Sequence, residues 1–140
     1  MDISSNSEKR NRIIGIDYVL NANATVNDFP GGIIQVLVVE WFPIKFTSVT
    51  FTESDPTNGE YVAQELNIVL SGTNSNIEKQ IRDLTGRELL LRLTYSSGMN
   101  RVVGTEVNPV LLSHSSTGSP VQQTLETKRI SAEKAKLLVV

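Results

Sequence analysis

Cysteine is absent from the 140 residues, and histidine and tryptophan occur once each. A chain without thiols has no disulfide, no thiolate metal site and no cysteine nucleophile. No apolar run reaches the roughly 18 residues needed to cross a bilayer as a helix. Charge of one sign is scarce as well. The 13 basic and 15 acidic side chains leave a formal net charge of -2, which argues against general affinity for nucleic acid. The first residues, MDISSNSEKRNR, hold no hydrophobic stretch of the kind a secretory leader needs, so synthesis in the cytoplasm is expected.

Reactive constellations are equally thin. His114 lies in a Ser/Thr-rich strand end and reads as a surface residue beside a turn. Ser113, Ser115 and scattered acids stand near it in sequence or elsewhere, but no nucleophile-elbow pattern accompanies them. Glu53, Asp55 and Glu60 flank Asn58-Gly59. Three acids there resemble a loose calcium cradle, yet they do not follow the EF-hand loop, and a solvated turn is the expected reading. Gly31-Gly32 lacks the rest of a phosphate loop. The 15 acids are spread widely enough that carboxylate pairs arise by chance and carry no glycosidase signal. Trp41 with Phe42, Phe46 and Phe51 fits either a sugar-binding platform or core and interface anchors, the commoner use of aromatics in a β run. The expectation is a non-enzymatic protein with no cofactor and no metal.

What is present points to one globular domain. Apolar residues make up 39% and charged residues 20%, ordinary proportions for a folded chain of this length. Met1 to Arg12 is polar throughout and reads as a flexible arm; residues 13–140 form the domain. Ile13 to Leu20, Ile33 to Trp41, Lys45 to Thr52, Tyr61 to Ser71, Leu89 to Tyr95 and Arg101 to Gly104 are β-branched or alternate apolar and polar residues, as strands do. Asn21 to Gly32 is read as a loop from its Asn, Asp, Pro and Gly content. The segments from Ile33 to Ser71 form a long hairpin around Ser54–Gly59, with Asn58-Gly59 a favoured turn pair. Val110 to His114 and Val121 to Lys128 make another hairpin around Ser115–Pro120. The segment Ala132 to Val140 is read as a strand, with a short helix as the alternative. The one helical signal is Asn76 to Thr85. Ser75 and Glu78 fit a capping box, Ile77, Ile81 and Leu84 share one face, and Gly86 is placed to close it. The fold class is therefore mainly β: a β-sandwich or partly open β-barrel with one short flanking α-helix and a long protruding hairpin.

Charge is unevenly placed. Asp28 to Glu65 holds six acids and one base, Lys79 to Arg101 five bases and two acids, and Lys128 to Lys136 four bases and one acid. Complementary patches on opposite ends of a subunit would give register between copies. Glu53, Asp55 and Glu60 on one side, and Lys128, Arg129, Lys134 and Lys136 on the other, are the candidate interface residues. Trp41 is the aromatic candidate.

The stretch NIEKQIRDLTGRELLLRLTYSSGMNRVVGTEVNPVLLS, from Asn76 to Ser113, resembles small virion proteins from the tail and neck gene clusters of tailed phages. The likeness lies in a short helix ending in L-T-G-R, a strand, a turn, and R-V-V-G-T-E-x-N-P-V. It implies a tail tube protein first: a β-sandwich or half-barrel with a flanking helix that stacks as hexameric rings. Neck connectors and tail terminators share that size. The implied partners are copies of itself, other tail or neck proteins, and DNA as transient non-specific cargo, in a virion and without a membrane. A carbohydrate- or receptor-binding β-sandwich module is the alternative from another class. Within the resemblance, Gly104, Asn108 and Pro109 fit as turn geometry.

Overall fold

Two sheets share the chain, and their strands are recruited from distant parts of the sequence. The structure, a computed structural model, describes residues 12–29, 32–38, 40–54, 61–71, 75–117, 122–131 and 134–139. The expected arm (all but Arg12), the 55–60 tip of the long hairpin and the 118–121 turn lie outside the described residues.

The strands are β1 Ile13–Leu20, β2 Ala24–Phe29, β3 Ile33–Val38, β4 Phe42–Pro43, β5 Ser48–Glu53, β6 Val62–Ser71, β7 Leu89–Tyr95, β8 Asn100–Val103, β9 Ser113–Thr117, β10 Gln122–Ser131 and β11 Lys136–Val139. The helix α1 spans Ser75–Leu84, between β6 and β7. The larger sheet has seven strands in the order β2-β3-β11-β8-β7-β1-β4, and the smaller has four in the order β5-β6-β10-β9. All pairs are antiparallel except β3 with β11, where Leu138 lies beside Ile34 in parallel register.

The main core fills the space between the sheets and under the helix. Every second residue of β6 is buried (Val62, Gln64, Leu66, Ile68, Leu70), and Leu125 continues the layer on β10. Facing them are Ile16, Leu89, Leu91, Leu93 and Val103 of the larger sheet. Ile81 and Leu84 of α1 are buried in the same cluster and Ile77 packs against it, the stripe expected from the spacing. Gly86, at φ 73°, then takes the left-handed conformation that ends the helix and returns the chain to β7.

The other face of the larger sheet is not left to solvent. The sheet curls into a half-barrel, and a second, smaller cluster gathers Val19, Ile34, Val36, Leu90 and Val102. Leu90 therefore sits fully buried on the face of β7 opposite Leu89 and Leu91. A strand buried on both faces needs the near-continuous apolar run that LLLRL supplies.

Three expectations are corrected. Asn21 to Gly32 is not a loop: a single 3-10 turn, Asn21–Asn23, leads into β2. Pairing with β3, residue for residue from Ala24–Val38 to Phe29–Ile33, and the contribution of Ala24 and Val26 to the small core outweigh the turn preference of Asn27 and Asp28. Asn27 even joins the pairing, since its Nδ2 donates to Gln35 Oε1 at 3.0 Å. Second, β3 does not continue the hairpin. It belongs to the seven-stranded sheet, while β5 and β6 pair in the other; Pro43 and the buried Ile44, whose amide donates to Ile16 O at 2.8 Å, make the crossing. Third, Val110 and Leu112 form only isolated bridges, to Leu89 and Thr85, and the strand starts at Ser113. For the 132–140 segment, the strand reading holds over β11.

Candidate functional site

One inward row of the smaller sheet is polar and charged in all three of its strands, whereas the neighbouring rows carry Val62 and Leu66 on β6. Gln64 of β6 pairs with Glu53 of β5 on one side and with Arg129 of β10 on the other. Alternation turns all three side chains into the space between the sheets. Gln64 Nε2 donates to Glu53 Oε2 at 2.8 Å, and Gln64 Oε1 accepts from Arg129 Nη1. The amide thus links an acid to a base that do not touch.

The row ties down two segments that cross the end of the sandwich. The amide of Ala135 donates to Glu53 Oε2 at 2.7 Å, which anchors the approach to β11. Arg129 Nη2 donates to the carbonyl of Asn108, and Asn108 Nδ2 donates to Ile130 O at 3.0 Å. Arg101 Nη1 reaches the carbonyl of Ala135 at 3.1 Å. Gly104 makes this route available. Its φ of 99° lies in the left-handed region, and a Cβ there would meet Val110 Cγ2 at 3.1 Å and Leu89 O at 3.3 Å. Beyond Gly104, Thr105 and Asn108 exchange backbone hydrogen bonds at 3.1 Å and form a tight loop.

Arg129 is the electrostatic centre of the arrangement. Its guanidinium is partly withdrawn from water, and that desolvation lowers its pKa from the usual value. Its two Nη groups bond to neutral acceptors, and Nε is buried with no hydrogen-bond partner among the described residues. Burial likewise raises the Tyr95 hydroxyl, with Arg101 pulling it down and Glu53 pushing it up.

The sequence candidates divide as follows. Glu53 and Arg129 come together in this row, at the same end of the molecule rather than at opposite ends. Lys128, one residue on, faces the outer surface and lies 3.9 Å from Glu65. Lys136 Nζ is 3.5 Å from the carbonyl of Phe29, and Lys134 is exposed beside it in sequence. Asp55 and Glu60 lie outside the described residues. Trp41 is half-buried against the small core, with Arg92 Cζ 4.9 Å from its ring centroid. Arg92 in turn pairs with Asp17 at 2.9 Å across adjacent strands. One face of the indole is therefore engaged within the chain. Tyr18 and Phe42 meet nearby, 5.6 Å between ring centroids. His114 is exposed and bonds to Gln123 through Nε2. No group of three or more His, Asp or Glu side chains among the described residues is placed to hold a metal ion.

Gln64 and Thr105 were not singled out from sequence, and Asn108 was read only as turn geometry. Gln64 did leave a signal: extending the phase of Leu66, Ile68 and Leu70 back by one step puts a polar amide at a core position. Thr105 left none, and for Asn108 the turn was legible, with Gly104 and Pro109, but not its side-chain and carbonyl contacts with β10. No family model matches the chain, and neither a curated protein nor a solved structure matches it.

Proposed function

We propose that the chain is a structural subunit that works by assembling with copies of itself, as a virion component of a tailed phage. The tail tube, built of stacked rings around passing DNA, is the first role; a neck connector or tail terminator is the second. The observation that carries this reading is the state of the sheet edges. Among the described residues, nothing pairs with the outer side of β2 or of β5, and each is six residues long. Neither contains lysine or proline, and each carries a single charged residue, Asp28 on β2 and Glu53 on β5. An unpaired edge with so little protection is a template for another strand, which is useful to a protein meant to polymerise. Phe29 and Leu37, about half exposed on one face of the β2–β3 hairpin, add apolar surface beside that edge. The resemblance of residues 76–113 to tail and neck proteins supplies the phage setting, with manufacture in the host cytoplasm.

The sugar-binding alternative depends on an open aromatic platform at Trp41. Arg92 already lies over that ring, so this reading is second. Sedimentation and electron microscopy of the purified chain separate the two. Rings or polymers are expected at micromolar concentration and above. A strict monomer at high concentration would reject assembly.

A further inference from the structure

The turn after Gly104 carries an Asn-Pro bond, and β10 holds both of the groups that could break it. Arg129 Nη2 donates to the carbonyl oxygen of Asn108, and Asn108 Nδ2 donates to Ile130 O at 3.0 Å. From the other side, Thr105 O and Thr105 Oγ1 each accept the Asn108 amide at 3.1 Å. The residue that follows is Pro109. Arg129 is the unusual member. It is half-buried, and the partners of its two Nη groups, Gln64 Oε1 and Asn108 O, are neutral. A cation withdrawn from water is ordinarily matched by an anion, but Glu53 reaches this one only through the Gln64 amide. Full matching comes only when negative charge develops on one of the two oxygens. The Gln64 oxygen has no partner reaction that would charge it. The Asn108 carbonyl has one.

We propose that the chain cuts itself, once, at the Asn108–Pro109 bond by cyclisation of the Asn108 side chain. Nδ2 attacks the carbonyl carbon of its own residue and closes a succinimide ring. The carbonyl electron pair moves onto the oxygen that faces Arg129, then returns as the bond to the Pro109 nitrogen breaks. The proton lost by Nδ2 ends on that nitrogen. One N–C bond forms, one breaks, and no water is consumed. Proline sets the direction. Before any other residue, the following backbone N–H can attack the side chain instead and expel ammonia. Proline has no N–H, so only the side chain can act as nucleophile. Attack within one residue needs no encounter between separate molecules. A guanidinium already aimed at the oxygen where charge develops stabilises the transition state more than the ground state. Ile130 O polarises the Nδ2–H bond. The cut leaves the two pieces together. Val110 and Leu89 exchange backbone hydrogen bonds at 2.8 and 2.9 Å, and all 10 residues of β10 pair with β6. Self-cleavage does not depend on what the chain assembles with, and either property can fail alone.

The test incubates the purified full chain in warm neutral buffer and follows it by denaturing electrophoresis and intact-mass spectrometry. Two fragments, 1–108 and 109–140, are expected. In early samples their masses should sum to that of the intact chain, because the first ends in a cyclic imide. The chain unfolded in urea should cleave about a hundredfold more slowly, the scale set by losing one aligned oxyanion donor. Arg129→Gln should slow cleavage by a similar factor, with circular dichroism checking its fold; the urea comparison stands whether or not that variant folds. Pro109→Ala should keep the chain whole by diverting Asn108 to loss of ammonia. Four results would each overturn the proposal: no fragments, a first fragment one water heavier from the earliest sample, equal rates in folded and unfolded chains, or the same cut in Asn108→Ala.

Discussion

The two ends of β6 show two ways of filling the space between sheets. Toward Leu70 the filling is mostly apolar, with Leu84, Ile81 and Leu89 nine-tenths or more buried and Gln123 of β10, paired with Leu70, the polar exception. Toward Val62 the same inward phase carries Gln64, and a chain of hydrogen bonds runs from Ala135 through Glu53, Gln64 and Arg129 to Asn108. The apolar end gains from area removed from water and needs only shape. The polar end gains little on net, because each bond replaces one to water, but it loses heavily if a single member is removed. The first end stabilises; the second specifies which segments meet.

That contrast can be broken from the apolar side first. Leu84→Ala removes a fully buried side chain where α1 meets both sheets. Denaturant unfolding should show a loss of about 2–5 kcal/mol from transfer and cavity terms together. A loss below about 1 kcal/mol would mean that the helix can be lifted away and is not part of the core.

Gln64→Leu sharpens the comparison. Leucine has the right polarity for an inward position beside Leu66, so an ordinary core would accept it. Here it strips Arg129 Nη1 of its acceptor and Glu53 of one donor. The expected cost is about 2–4 kcal/mol, from roughly 1–3 kcal/mol for each group left unpaired. A neutral or stabilising result would show that water replaces the amide and that the row specifies nothing.

Arg92→Ala is the smallest of the three. The Asp17–Arg92 pair keeps 27% and 19% of its side-chain surface exposed, Arg92 first, so solvent screens it. With the Trp41 contact included, about 1 kcal/mol is expected, less at 1 M salt. Trp41 is the sole tryptophan, and its emission should shift red as the guanidinium leaves its face. An unchanged spectrum would place Arg92 elsewhere in solution.

The sequence made the fold class and most elements legible because their signals are local. Period-two alternation marks β6 and β7, and Ile77, Ile81 and Leu84 with Gly86 mark α1, one residue off in its bounds. What stayed hidden depends on pairing at a distance. Asn27 and Asp28 carry turn chemistry, and only the neighbouring β3 makes a strand of them. The division of β3 and β5 between two sheets leaves no local trace beyond Pro43. Candidate residues fared similarly. Charge runs singled out Glu53 and Arg129, but their shared partner Gln64 is visible only through register, and register decides that acid and base sit in one row of one molecule.

The parallel strand β11 has a consequence of its own. It lies between β3 and β8, so among the described residues the strands β2 and β3 join the rest of the larger sheet's ladder through residues 136–139. Those four residues act as a keystone that joins β8 to β3, a strand about a hundred positions earlier in the chain. The half-barrel is therefore one of the last parts of the fold to close, because a loop that long must be drawn in before its contacts repay the lost entropy. Until then β3 waits with an unfilled side.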